Sequence, residues 1–146
     1  MLKNWNETEE YSGDQMKVHH TGIIVKDLEK NVILYTKLGY DEVSNIVVDN
    51  VQQNRVIFLQ NQNHKIELLE PLNEKSSIYH FKEGYHHICY EVESPHSFME
   101  DFKRLKIGKI FTKPMQAPAI DNRKIVFACL TNGAFVEFLF GKDSEI

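Results

Sequence analysis

The sequence carries an internal repeat. His19-His20 in the first half is matched by His86-His87 in the second. Arg55-Val56-Ile57-Phe58 is matched by Lys124-Ile125-Val126-Phe127. Ile66-Glu67-Leu68-Leu69 is matched by Val136-Glu137-Phe138-Leu139. The offset between partners is nearly constant along the chain, and its small drift needs only short loop insertions, which loops tolerate. A repeat of this length is one supersecondary unit duplicated, so both halves must fold alike.

Each half reads in the same order. Residues 18–25 (VHHTGIIV) are rich in β-branched side chains and predict a strand. Asp27 is a suitable helix cap; Leu28, Val32, Tyr35 and Leu38 then fall at helical spacing, and Gly39 ends the run. Residues 42–48, 55–59 and 65–69 read as strands. Pro71 closes the last of these, and residues 77–83 suggest a short helix ending at Gly84. Residues 85–92 (YHHICYEV) are again a strand. Ser94-Pro95 offers a capping hydroxyl and a proline in the first helical turn, and Phe98, Phe102 and Leu105 form the stripe. Residues 107–111, 124–128 and 135–140 complete the set. The expected fold is α+β, with paired βαβββ modules at about residues 17–72 and 84–140. Together they make one domain over residues 17–141, after an N-terminal extension of residues 1–16.

A length of 146 residues suits one such domain and one core. The formal net charge of −4, with no long basic run, argues against nucleic acid as a partner. No apolar stretch approaches the roughly 20 residues that span a bilayer. The first residues, Met1 to Asn6, lack the apolar core of a signal peptide. Two cysteines, Cys89 and Cys129, suggest no disulfide framework, so a reducing cytosol is the expectation, with both thiols acting as small half-buried hydrophobes.

Strand alternation sorts the chemistry-bearing residues. His19, Thr21, Ile23 and Val25 share one face, and His20, Gly22 and Ile24 the other. His86, Ile88, Tyr90 and Val92 share one face; His87, Cys89 and Glu91 the other. The bulkier apolar face should pack under the helices. That places His20 and His87 in a cavity, and His19 and His86 behind the sheet. Glu67 points away from Ile66 and Leu68, and Glu137 away from Val136, Phe138 and Phe140. A carboxylate between apolar strand neighbours is costly to bury unless it is paired or holds a metal. Two such carboxylates and two histidines at matched places are most economically explained by one divalent ion, with His20, Glu67, His87 and Glu137 as ligands. Imidazole and carboxylate donors suit Zn²⁺, Ni²⁺, Co²⁺ or Mn²⁺. His64, His80 and His96 read as surface or hydrogen-bonded residues.

With these residues in place, the chain resembles the glyoxalase/bleomycin-resistance/dioxygenase (vicinal oxygen chelate) superfamily over about residues 17–141. Within it the chain is most similar to methylmalonyl-CoA epimerase-like members. The likeness is carried by residues 20–29 (HTGIIVKDLE), by residues 66–72 (IELLEPL) with Ser76, Ser77, Ile78 and Phe81, and by residues 84–92 (GYHHICYEV). It implies a half-open barrel around a metal-binding cavity, the same four ligands, and a homodimer. Three epimerase features are without a clear match, the first being the turn before the last strand, where Leu130-Thr131-Asn132-Gly133 is shorter. The loop before the sixth strand is not glycine-rich (Ala117 to Asn122), and residues 52–55 (QQNR) offer no additional acid near the third strand.

The chemistry that fits is proton transfer α to a carbonyl, in an acyl thioester or a 2-oxo compound. An ion can stabilise the developing enolate while a carboxylate moves the proton. Glu137 is the first choice as base and Glu67 the second. Arg55, Arg123 and Lys124 are candidates to hold an anionic tail; a solvated rim charge is the alternative. Rival readings are a lactoylglutathione lyase (glyoxalase I)-like enzyme and a non-enzymatic small-molecule binding protein of the same superfamily. The Asp-Pro-Asp-Gly turn of glyoxalase I is absent. An extradiol-type dioxygenase or a thiol-transferring resistance enzyme needs only three ligands, so the fourth counts against both.

Overall fold

The computed structural model describes residues 16–142. The N-terminal extension, apart from Met16, lies outside the described residues. The first module runs β1 (Lys17–Ile24), α1 (Leu28–Lys37), β2 (Asp41–Glu42), β3 (Val47–Asp49), β4 (Asn54–Asn61) and β5 (His64–Pro71). The second runs β6 (Gly84–Val92), α2 (Pro95–Leu105), β7 (Gly108–Ile110), β8 (Met115–Ala117), a 3₁₀ turn (Pro118–Ile120), β9 (Arg123–Leu130) and β10 (Phe135–Phe140).

One ten-stranded sheet joins the modules in the order β2-β4-β5-β1-β6-β10-β9-β7, with β3 also on β4 and β8 also on β9. The order is the same read outward from the centre in either direction, as duplication requires. β1 and β6 meet antiparallel at the seam; β5 flanks β1 and β10 flanks β6, both in parallel. The ends of the sheet do not hydrogen-bond to each other, so the barrel is half open.

Alternation divides the core as the sequence predicts. Ile23, Val25, Ile57, Leu59, Ile66 and Leu68 pack with Leu28 of α1. Phe98 and Phe102 of α2 pack with Val136, Phe138 and Phe140. The opposite face carries Ile24, Val56, Phe58, Leu69, Cys89, Phe127 and Leu139, a third cluster shared by both modules. Asp27 caps α1 by accepting from the Lys30 amide at 3.0 Å.

Four local expectations change. Leu38 is the C-cap of α1 and is exposed, outside the buried stripe. Ser94 caps α2 by backbone position only; its hydroxyl makes no cap bond. Residues 77–83 form a turn and two bends in place of a helix, and Gly84 then enters β6 at φ +123°. The strand expected over residues 42–48 is two pieces, β2 and β3, both on β4. β7 and β8 repeat that break on β9.

The break has a shared chemical cause. Between the pieces, Ser44 Oγ accepts from the Phe58 amide at 2.9 Å, and Thr112 Oγ1 accepts from the Phe127 amide at 2.9 Å. A side-chain hydroxyl thus stands where a strand carbonyl would be, in both modules. Ser44→Ala and Thr112→Val leave those amides unsatisfied and should each cost about 1–3 kcal/mol. Urea midpoints against the parent chain check this.

Candidate metal centre

The register of the sheet builds the site in two rows. In one, Glu67 on β5 pairs with Gly22 on β1, which pairs with His87 on β6. In the other, His20 on β1 pairs with Cys89 on β6, which pairs with Glu137 on β10. Each row therefore holds a carboxylate and an imidazole with a small residue between them. Strands lie about 4.8 Å apart, so the outer two side chains can reach each other only by leaning over the middle position. At Gly22 that space is absolute: a Cβ there would lie 2.2 Å from Cε1 of His87.

The four side chains meet and are all buried. His20 Nε2 lies 3.3 Å from Glu67 Oε1, 3.1 Å from Glu137 Oε1 and 3.3 Å from His87 Nε2. His87 Nε2 lies 3.5 Å from Glu67 Oε1 and 3.2 Å from Glu137 Oε1. Donors at 2.0–2.1 Å from a tetrahedral ion stand about 3.3–3.4 Å apart (1.63 times the bond length). The five separations bracket that figure. Glu137 Oε1 is also buried without a hydrogen bond, although both imidazoles are within reach of it. Atoms that surround a common point, without aiming at one another, have this geometry. The donor set, its spacing and the orphaned oxygen all fit a divalent ion.

Electrostatics follows from crowding. Burial opposes charge on His20, but the Glu67 and Glu137 carboxylates outweigh it and raise its pKa to about 9. His87 is raised against burial too, chiefly by Glu137. Burial raises both carboxyls, but the imidazoles hold Glu67 and Glu137 below the usual carboxylate range. Without an ion, protons on the imidazoles balance the two carboxylates. An ion must displace those protons, so its affinity should rise with pH up to about 9. The stability of the metal-free chain should run the other way. A pKa raised from 6.5 to about 9 gives a contribution fully present below pH 6.5 and lost as pH rises through 9. Zinc titrations and urea melts between pH 6 and 9.5 test the opposite slopes.

His19 and His86 are not behind the sheet. Register shifts interrupt the β1–β6 pairing at two places: Val18 and His20 face Tyr90 and Cys89, and Gly22 and Ile23 face His87 and Tyr85. His19 and His86 are the extra residues of two symmetry-related bulges. A bulge re-aims the side chain it carries, and each ring turns to the histidine that follows it. His64, His80 and His96 are exposed, as expected.

The three expected substrate cations are not brought to this centre. Arg55 pairs with Glu29 and, at 2.9 Å, with Glu70. Arg123 donates to Glu91 at 2.7 Å and to the Phe140 carbonyl at 2.8 Å. Neither they nor Lys124 line the cavity of about 460 Å³ beside the site. That cavity is walled by Phe81, Phe111, Phe127 and Phe135, with His86 toward the centre and Lys75 as its cation.

A narrower cleft beside this cavity reaches Glu67, His87 and Glu137 and is lined by a carboxylate the sequence reading missed, Asp49. Its Oδ1 accepts from the Val51 and Gln52 amides, both at 2.9 Å. Burial raises its pKa against those two bonds, with Glu67 and Glu137 adding to the rise. A signal is present in the sequence: Asp49 is a lone acid among Val47, Val48 and Val51, the pattern that singles out Glu67. It falls just before residues 52–55, the stretch where likeness to the epimerases directs the search for an additional acid.

Among the described residues no helix is long and apolar enough to cross a membrane. Cys89 is free and buried, and Cys129 is free and half-buried.

Comparison with known proteins agrees with this fold. Residues 19–127 match the family model of the glyoxalase/bleomycin resistance protein/dioxygenase superfamily. Human mitochondrial methylmalonyl-CoA epimerase is 35% identical over 99 residues, covering 64% of this chain and 56% of that protein. The ethylmalonyl-CoA/methylmalonyl-CoA epimerase of Cereibacter sphaeroides is 42% identical over 82 residues, 53% of this chain and 61% of that one. The chain thus spans somewhat over half the length of these curated relatives. Among solved structures, a hypothetical protein from Bacillus halodurans superposes with a TM-score of 0.77 at 26% identity, covering 91% of this chain and 99% of that one. Methylmalonyl-CoA epimerase from Mycobacterium tuberculosis superposes at 0.73 and 20% identity, covering 84% and 86%. This chain belongs to the glyoxalase/bleomycin resistance protein/dioxygenase superfamily.

Proposed function

We propose that the chain is a metal-dependent epimerase that moves the proton α to the carbonyl of an acyl-CoA thioester, as a methylmalonyl-CoA epimerase does. The observation that carries the reading is the convergence of His20, Glu67, His87 and Glu137 on one buried point beside an apolar cavity. The names of the curated relatives support the substrate class. The four residues would hold one divalent ion, Zn²⁺, Ni²⁺, Co²⁺ or Mn²⁺, which when bound supplies Lewis-acid polarisation of the carbonyl.

The chain's own residues then divide the work. Glu137, buried and kept anionic, takes the proton from the α-carbon. Epimerisation needs a proton returned on the opposite face of the planar intermediate. Glu67 stands in the symmetry-related place for that step. Asp49 is a third carboxyl on the same cleft, its pKa raised by burial. Phe111, Phe127 and Phe135 exclude water around the reacting carbon, and Lys75 offers a charge to an anionic part of the substrate. A cytosolic homodimer is part of the same reading.

The experiment is proton exchange. Metal-loaded protein in deuterated water should introduce deuterium at the α-carbon of racemic methylmalonyl-CoA, with inversion. The methylglyoxal–glutathione adduct should give no hydroxyacyl thioester. Absence of exchange at full metal occupancy would end the epimerase reading.

A further inference from the structure

The ligand histidines use Nε2 toward the centre of the cluster. Their other nitrogens are engaged as well. His20 Nδ1 lies 2.8 Å from His19 Nδ1, and His87 Nδ1 lies 2.8 Å from His86 Nδ1. Two ring nitrogens at that distance need one donor and one acceptor. A neutral ligand ring that offers its Nε2 lone pair to an ion carries its hydrogen on Nδ1. The ligand is then the donor of the pair, the preceding histidine accepts at Nδ1, and that residue keeps its own hydrogen on Nε2.

We infer that His19 and His86 are positioning residues for the metal centre, each accepting from the next residue and so fixing Nε2 of His20 and His87 as the coordinating atom. The inference rests on the metal reading above, not on the choice of substrate. Ligand histidines commonly donate their second N–H to a carboxylate, a carbonyl or water, which fixes tautomer and ring orientation. Here a neutral imidazole fills that place in both modules. Three features support it together. The paired bulges put the extra residue of each module on the ligand's side of the strand. The distance is the same in both halves. Aromatic rings hold the accepting imidazoles: Phe58 meets His19 edge-on at 6.3 Å, and Phe81 meets His86 edge-on at 4.9 Å. The His86 ring also lines the large cavity, so the hydrogen left on its Nε2 belongs to a ring in reach of whatever enters there.

The test is made on zinc, without substrate. In the zinc-loaded wild-type chain, nitrogen-15 correlation spectra should show hydrogen on Nδ1 of His20 and His87 and on Nε2 of His19 and His86. His19→Phe and His86→Phe remove the acceptor and should weaken zinc binding about 10–100-fold in chelator competition. His19→Asn and His86→Asn place a carbonyl oxygen near the lost Nδ1 and should restore affinity to within about threefold. A purely structural role would not separate Asn from Phe in this way. The inference is overturned if the ligand rings carry hydrogen on Nε2, or if folded Phe variants bind zinc like the parent. The wild-type spectra decide the matter even if a Phe variant fails to fold. A wild-type chain that binds no zinc or other divalent ion overturns this inference and the metal reading together. A chain that binds zinc with these tautomers but exchanges no methylmalonyl-CoA proton overturns only the substrate reading.

Discussion

Glu137→Gln is expected to lower solvent-deuterium entry into methylmalonyl-CoA by about 10²–10⁴-fold, the usual worth of a positioned general base. The amide keeps the shape of the carboxylate and one oxygen for the ion, but it cannot take a proton. It also removes one of the two negative charges facing His20 and His87. Metal affinity should fall as well, so the rate must be read at saturating metal. Glu67→Gln under the same conditions is the internal comparison. If Glu137→Gln at full occupancy retains exchange within about tenfold of the parent, Glu137 is not the base. The proton must then pass through Glu67 or Asp49, which Asp49→Asn would show.

Gly22→Ala is expected to destroy the centre with one methyl group. The added Cβ would lie 2.2, 2.5 and 2.7 Å from three atoms of the His87 ring, and these are atoms of the site itself. The ring must move away from the cluster. Glu67 and Glu137 then keep their burial but lose one of their two imidazole partners. Breaking a buried charged group from its partner costs about 3–5 kcal/mol. Zinc content after dialysis should drop to background, and the urea midpoint should fall with it. Gly141→Ala is the control, since a Cβ there meets nothing within 4 Å. Zinc retained at one ion per chain in Gly22→Ala would mean that His87 is not a ligand.

The fold and the four meeting residues were legible in the sequence because duplication and strand alternation are both periodic. A nearly constant offset, from His20 to His87 and from Glu67 to Glu137, aligned the halves. A period of two then told Glu67 and Glu137 from their apolar neighbours. What escaped was whatever breaks a period. The bulges at His19 and His86 put adjacent residues on one side of a strand, where alternation places them on opposite sides. The hydroxyls of Ser44 and Thr112 interrupt a strand that propensity reads as continuous. Asp49 carries the lone-acid signal of Glu67 but sits at the end of a three-residue strand, too short for alternation to place its face. Arg55 and Arg123 attracted attention by charge alone. Charge does not reveal a partner such as Glu70, which lies far off in sequence but directly opposite Arg55 in the sheet.

The seam between β1 and β6 also sets a schedule for the growing chain. His20 and Glu67 emerge with the first module, and their counterparts come with β6 and β10. Until β10 is made, three of the four donors exist at most, and until β6 docks, only two. A pair of donors grips an ion weakly, so the nascent first half should pass through the metal pool of the cell without retaining an ion. Capture of an ion by His20, Glu67, His87 and Glu137 would fall to the finished sheet. In such a protein an ion would be acquired at the end of assembly, and a chain truncated before residue 137 would lack both the fourth donor and the strand that joins β9 to β6.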